Sequence, residues 1–411
     1  MTLARPTVEF DHHSQRYKEH WKEDLADIRA TCPVAWTSSH EGFWVVSKHA
    51  DVSRAFRDAS TFTTEHREPN NGCSYTGVEI PSWPQVLIPM EVDGPVHVAY
   101  RRLLNSWFSP AAVDAMQSRL DRFVAWCIDR RIESGEIDLV LDLANPVPAM
   151  LTMEFLGLPV EDWEFYAPTF HDLVAFSHGS DEFNAAIENY MAINDRLSGI
   201  LDDRRNHPRD DHLTRIAQFE IDGQPLSQED ALNVVGLILA GGVDTTTNLM
   251  SHTFHYLDQN LADRERLIAD PALFDSACEE FLRLASPGQV HVRTATRDVE
   301  LGSQLVKAGE RVLLSMASAN RDEEVFDCPD QVDIERFPNH HVAFGMGPHR
   351  CVGAAFARQM FATLLGAVLA RLPDYELLPG AERYAEFGIQ QGWVSMPARF
   401  TPGSPVGASL R

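Results

Sequence analysis

A long apolar helix constrains this chain more than any other feature. Ser227 and Asp230 have the S-x-x-D spacing of a capping box. The run from Ala231 to Val243, ALNVVGLILAGGV, is apolar all round, the pattern of a helix buried in a core. Continued to Asn260 it covers residues 227–260 and, at 1.5 Å per residue, spans about 50 Å, close to the width of a large domain. A helix that long favours a single domain over residues 1–411, although 411 residues alone would allow two or three domains of about 150.

Helical periodicity also covers Ala111–Ser134, Asp162–Phe176, Glu182–Asn206, Pro271–Ala285 and Gly353–Arg371. Strand-like runs such as Gly42–Ser47 and Arg311–Ser315 are short and isolated. The expected fold is therefore mainly α with a small β region. Residues 63–96 fit no regular element, because Pro69, Pro81, Pro84, Pro89, Pro95, Gly72, Gly77 and Gly94 interrupt both helix and central strand. A loop this long in a compact domain reads as a cover over a binding site.

The 35 basic and 60 acidic residues leave a formal charge of −25, which repels nucleic acid and anionic membranes. Charged residues crowd the first thirty positions, and Asn233 interrupts the Ala231–Val243 run, which is too short to span a bilayer. Six cysteines are scattered with no C-x-x-C pair, as in a reducing compartment. The expected location is the cytoplasm.

Three constellations carry chemistry. Within the long helix, Gly241 and Gly242 each cost about 1 kcal/mol relative to alanine, and Asp244 and Thr245 put polar groups into a buried element. Thr245, four residues after Gly241, can bond that carbonyl and open a groove for a small ligand; close helix packing against the glycines, with Asp244 salt-bridged, is the alternative. Near the C-terminus, Phe344-Gly345-Met346-Gly347-Pro348-His349-Arg350-Cys351-Val352-Gly353 presents a cysteine on a Gly/Pro-rich loop ahead of a helix, where thiolate is favoured. His340, His341 and His349 with Cys351 would offer zinc three nitrogens and a sulfur. The glycines surround the cysteine alone, as the approach of a large flat group requires, so haem with one axial thiolate is the sharper reading. Third, Glu280 and Arg283 share a helix face at i, i+3, a spacing that by itself usually marks a solvated pair.

These three motifs, in this order, resemble the cytochrome P-450 family of haem-thiolate monooxygenases, from about Val45 to the C-terminus. The loop FGxGxHxCxG is complete at Phe344–Gly353, the AGGxDTT-like motif at Ala240–Thr246, and the E-x-x-R pair at Glu280 and Arg283. The resemblance implies the cytochrome P-450 fold, with residues 63–96 as substrate lid, residues 227–260 as the central helix crossing the haem, and residues 344–353 as the thiolate loop. It makes Cys351 the axial ligand of haem b, iron protoporphyrin IX, with Phe344 and Gly345 beside the cofactor. His97, Arg101, Arg293 and His349 are then the donors to its propionates, and Arg336 joins Glu280 and Arg283 in a structural network. Ala319-Asn320-Arg321-Asp322 resembles a further structural landmark.

The same resemblance gives Asp244 and Thr245 the proton relay for cleaving bound O2. With no flavin or nicotinamide fingerprint, electrons are expected from a [2Fe-2S] ferredoxin and a separate reductase, docking near Arg102, Arg350 and Arg358. The soluble bacterial, camphor-hydroxylating branch is the most similar, but its camphor-binding tyrosine falls at Gln85 or an apolar neighbour. Leu87, Met90, Leu237, Ala240, Val290 and Ile389 then outline a pocket for a small terpenoid, norisoprenoid or similar molecule. A peroxide-driven peroxygenase would usually replace the Asp244-Thr245 pair, and a haem sensor would not need it.

Overall fold

In a computed structural model that describes residues 5–70, 73–83 and 85–410, Phe43-Trp44-Val45-Val46 forms the second strand of a five-stranded sheet. Aromatic and β-branched side chains suit a pleated surface, and all four of these residues are buried. In spatial order the strands are Val34–Thr37, Phe43–Val46, Arg311–Ser315, Val290–Ala295 and Phe62–Thr63. Arg311–Ser315 runs parallel to Phe43–Val46, with Val312 opposite Trp44, and antiparallel to Val290–Ala295, with Val312 opposite Arg293. The strand Arg311–Ser315 has the predicted bounds, and Phe43–Val46 lies one residue inside each end of Gly42–Ser47.

The chain gathers into two compact units. The first comprises Met1–Arg102, Glu279–Val352 and Glu386–Gln391 and contains the sheet. Trp44, Val46, Phe56, Phe62, Val312 and Leu314 form its core, each worth roughly 1.5–3 kcal/mol when removed from water. Residues 63–96 are less irregular than expected. The strands His66–Asn70 and Cys73–Thr76 pair antiparallel, and a helix begins at Gly94. Pro69 is compatible with this because the ribbon has two strands, both edges.

The second unit comprises Leu103–Cys278, Gly353–Ala385 and Gly392–Arg411. Its axis is the helix Gln228–Gln259, whose cap is as predicted, Ser227 Oγ accepting from the Asp230 amide at 2.9 Å. Around it pack Pro146–Leu156, Trp163–Ala175, Asp181–Asn206 and Ala354–Arg371. The predicted helix Ala111–Ser134 is two, Pro110–Asp114 and Gln117–Asp129, the first begun by Pro110 behind the Ser109 cap. The helix Pro146–Leu156 was not expected. The 18-residue stretch Leu139–Leu156 containing it, rather than Ala231–Val243, is long and apolar enough to cross a membrane, and 83% of it is buried inside the protein. Across the chain helices predominate over short strands.

Candidate functional site

The cysteine loop lies in the first unit and is shaped by its glycines. Gly345 and Gly347 have φ of +63° and +71°, which L side chains rarely adopt. A Cβ on Gly347 would stand 2.6 Å from the Phe56 carbonyl oxygen, so no other residue lets the loop pass the end of the helix His49–Arg57. The Gly345 amide donates to the Val342 carbonyl at 2.8 Å, and the Cys351 amide to the Phe344 carbonyl at 2.9 Å. Cys351 is exposed. Of the zinc alternative, His341 is committed elsewhere, its Nε2 lying 3.0 Å from Glu279. Among the described residues, His340, His341, His349 and Cys351 do not bring their ligand atoms together.

Cationic side chains gather in the same unit. The His97 and His349 rings lie 4.2 Å apart, and Arg101 Nη1 donates to the Arg350 carbonyl at 3.0 Å, beside the cysteine. Arg293, on the strand Val290–Ala295, is 4% exposed and stacks over Phe56. Burial pulls its pKa down to about 10, with partial compensation from the charge of Asp93. Burial, with the charges of His349 and Arg101, lowers His97 to about 4. His349 Nε2 lies 2.7 Å from Asp93 Oδ1. Burial acts to raise the Asp93 pKa, but hydrogen bonds from His349, Thr63 and the Thr64 amide hold it at about 2.

Asp93 is thus occupied by His349, and among the described residues no carboxylate reaches Arg293. A buried guanidinium without a carboxylate is costly. The donor set therefore fits a group that carries its own carboxylates, and the glycine-lined loop fits a flat one.

The Glu280-Arg283 pair is not a surface pair: both side chains are 0% exposed. Arg283 Nη2 donates to Glu280 Oε1 at 2.7 Å and Nε to Oε2 at 2.8 Å. Its remaining donors reach the carbonyls of Asn320, Pro329 and Gln331, so all five N–H groups are used. Arg336 Nε, Asn339 Nδ2 and the Asp333 amide complete the shell around Glu280. Asn320 carries this order to the loop, its Oδ1 accepting from the Val342 amide at 2.7 Å, and Val342 in turn holds Gly345. Sequence reasoning missed Asn339 and Asp333, which belong to no motif.

In the second unit, the two glycines of the long helix serve different ends. A Cβ on Gly242 would stand 2.5 Å from Thr152 Oγ1, so this residue permits close packing against Pro146–Leu156. A Cβ on Gly241 would meet nothing within 4 Å. Thr245 Oγ1 donates to the Gly241 carbonyl at 2.8 Å, as its spacing predicts, beside that open side.

Asp244 is 1% exposed and points into a buried polar cluster. It accepts from His171 Nδ1 at 2.8 Å, Tyr384 O–H at 2.7 Å and Asn248 Nδ2 at 3.1 Å. His171 Nε2 faces the Val394 carbonyl at 3.2 Å, so both ring nitrogens face acceptors, the arrangement of an imidazolium. Burial opposes that charge, but Asp244 outweighs it and raises the His171 pKa. Burial and the Asp244 charge lift Tyr384 well above the usual phenol range, so it remains a donor. His171 and Tyr384 were missed. A histidine within Phe170-His171-Asp172-Leu173 and a tyrosine in an irregular tail carry no motif.

The pocket residues divide between the units. Gln85, Leu87, Met90 and Ile389 are half-buried and Val290 is buried, all in the first unit, where the Gln289 amide donates to the Ile389 carbonyl at 2.7 Å. Leu237 and Ala240, half-buried, lie in the second. Arg102 and Arg350 are exposed in the first unit, and Arg358, half-buried, is in the second with Nη1 on the Ala354 carbonyl.

The chain is similar to known proteins. The family model described as Cytochrome P450 matches residues 259–379. A steroid C26-monooxygenase of Mycobacterium tuberculosis is 34% identical over 348 residues, covering 83% of this chain and 93% of its own. A linalool 8-monooxygenase of Pseudomonas putida is 33% identical over 373 residues, covering 88% and 91%. Among solved structures, a Mycobacterium marinum cytochrome P450 in complex with pseudoionone superposes with a TM-score of 0.87 at 28% identity, covering 97% of this chain and 100% of the other.

Proposed function

Because the chain belongs to the cytochrome P450 family and is an oxidoreductase of the monooxygenase type acting on apolar substrates, we propose that it uses haem b and ferredoxin-supplied electrons to hydroxylate a small terpenoid- or steroid-like molecule. The whole chain then serves one catalytic domain. The observation that carries the reading is the glycine-shaped loop presenting Cys351 in the same unit as Arg293, a buried guanidinium that no carboxylate among the described residues reaches. Cys351 would hold the iron through Sγ, and His97, Arg101, Arg293 and His349 would take the propionates, with Phe344 and Gly345 against the ring. When bound, a thiolate-ligated haem supplies activation of dioxygen and cleavage of its O–O bond.

The chain's own task is to bring protons and exclude water. Asp244 is the acid of the relay, its carboxylate held in place by hydrogen bonds from His171 Nδ1–H, Tyr384 O–H and Asn248 Nδ2–H. Thr245 Oγ1, beside the open side of Gly241, passes a proton on through ordered water. This pair favours oxygen activation over a peroxide-driven peroxygenase. Thr245→Ala removes the relay hydroxyl while leaving the helix intact. Product per reductant consumed should fall on the order of tenfold or more, with hydrogen peroxide released in its place. Unchanged coupling, measured as product against reductant, would remove Thr245 from the mechanism.

The substrate class follows from the apolar side chains Leu87, Met90, Val290 and Ile389 of the first unit, and from relatives named for steroid and linalool oxidation. Electrons come from a [2Fe-2S] ferredoxin, with the exposed Arg102 and Arg350 of the first unit as basic docking residues on a protein of net charge −25. The first-electron rate should therefore fall steeply as salt rises; a rate independent of salt from low to physiological ionic strength excludes that role. These features suit a cytoplasmic enzyme. The deciding experiment is the visible spectrum of the purified, reduced protein under carbon monoxide. A strongly red-shifted Soret band supports the reading, and an imidazole-type band or no haem overturns it.

A further inference from the structure

The loop carrying Gln85, Leu87 and Met90 has few regular backbone hydrogen bonds, because Gly77, Pro81 and Pro89 interrupt it. Backbone groups without such partners must find others. Two charged side chains provide them. Glu91 is 2% exposed. Its Oε1 accepts from the Val78 amide at 2.8 Å, and its Oε2 from the Leu87 amide at 2.9 Å, with His66 Nδ1 at 3.3 Å from the same oxygen. One carboxylate therefore joins positions nine residues apart.

The carbonyls of the same loop are held from the sheet. Arg311, first residue of the strand Arg311–Ser315, donates through Nη2 to the carbonyls of Glu79 at 2.7 Å and of Thr76 and Gly77 at 3.2 Å each, and Nη1 lies 3.4 Å from Ser82 Oγ. The Val78 carbonyl accepts from the Val292 amide at 2.8 Å, fixing the loop to the neighbouring strand. Gly77, at φ +74°, lies so near the carboxylate that a Cβ would stand 1.9 Å from Glu91 Oε1. The carboxylate seat thus exists only because residue 77 has no side chain.

We propose that Glu91, backed by Arg311, is a positioning residue for substrate: it holds residues 76–83 and 85–91 in one preformed shape, so that Leu87 and Met90 discriminate among bulky apolar molecules. Glu91 touches no reacting atom in this role. A loop fixed before binding loses little entropy when substrate arrives, which raises affinity for molecules that match it and leaves small ligands unaffected. The proposal rests on the monooxygenase reading only for the identity of what the loop contacts.

Glu91→Gln in the holoenzyme tests it, since glutamine keeps the size but loses the charge and one acceptor oxygen. Hydrogen exchange at the Val78 and Leu87 amides should quicken by roughly 10- to 100-fold, the value of a hydrogen bond to a charged acceptor. Optical titration with two azoles supplies a readout that mere structural damage would not divide. Affinity for the bulky, apolar clotrimazole should weaken about tenfold, while that for imidazole stays as in the parent protein. Unchanged exchange at both amides, or equal weakening for both azoles, overturns the proposal. Should Glu91→Gln give no holoprotein, Gly77→Ala carries the same test, because it displaces the carboxylate with every charge retained. A parent protein that binds no haem would overturn the monooxygenase reading, and the exchange rates would still decide whether Glu91 fixes the loop.

Discussion

Replacing Cys351 with alanine should abolish the red-shifted Soret band of the reduced, carbon monoxide-bound protein and, with it, monooxygenase turnover. The effect is expected to be complete because, among the described thiols, none is suited to take over: Cys32 donates to the Val34 carbonyl at 3.4 Å and burial raises its pKa. Cys127 and Cys278 are buried, and burial pushes the Cys127 pKa up to about 12, which keeps it a thiol. Cys328, although exposed, lies in a separate turn at φ +47°. The substitution leaves the loop itself in place, since the Cys351 hydrogen bond to Phe344 uses the backbone amide. Gly345, Gly347 and the basic set are likewise untouched. Haem should therefore still be recovered with the variant, in altered ligation, and the two readouts separate iron binding from folding. A variant that retains the red-shifted band would show that another residue ligates the iron.

The parts of this site legible in the sequence were those where chemistry forces unusual residues together. The glycines flanking Cys351, the paired glycines ahead of Asp244 and Thr245, and the Ser227 cap each contradict local propensity or announce an element, so each stands out in a single sequence. The helix Pro146–Leu156 did not stand out, for a physical reason. Every residue in it except Glu154 is buried, so it has no polar face and hence no amphipathic period. Glu280 and Arg283 have the spacing of a solvated pair, and only tertiary structure reveals the surrounding carbonyls. His171, Tyr384, Asn339 and Glu91 acquire their roles from partners 73, 140, 59 and 13 residues away in sequence, separations at which no local pattern reports a contact. The prolines and glycines of residues 63–96 predict a cover without regular structure, yet the strands His66–Asn70 and Cys73–Thr76 pair within it. What orders that stretch is Arg311, more than two hundred residues on, together with one glutamate inside it.

The substitution expected to cost most stability is Glu280→Ala. Glu280 is a carboxylate with 0% exposure, and burial alone would raise its pKa, but Arg283, the Asp333 amide and Arg336 hold it below the usual value. Sign follows from this shift. A carboxyl whose folded pKa is depressed adds stability above its unfolded value, and that stability is lost as pH falls through the folded one. Removing the carboxylate leaves the fully buried Arg283 guanidinium with carbonyl partners but no counter-charge, and releases Arg336 and Asn339. Breaking a buried pair from one side typically costs about 3–5 kcal/mol, a large share of the roughly 5–15 kcal/mol that holds a folded protein together. The damage is directed, because Arg283 donates to the Asn320 carbonyl and Asn320 holds Val342, the residue on which Gly345 and the cysteine loop rest. Glu280→Ala should therefore give little haem-loaded protein, and the apoprotein should unfold at a denaturant midpoint well below that of the parent. Glu280→Gln, which keeps the shape and one acceptor, should fall between the two. Normal haem content and an unchanged midpoint in Glu280→Ala would show that the loop is held by some other means than this network.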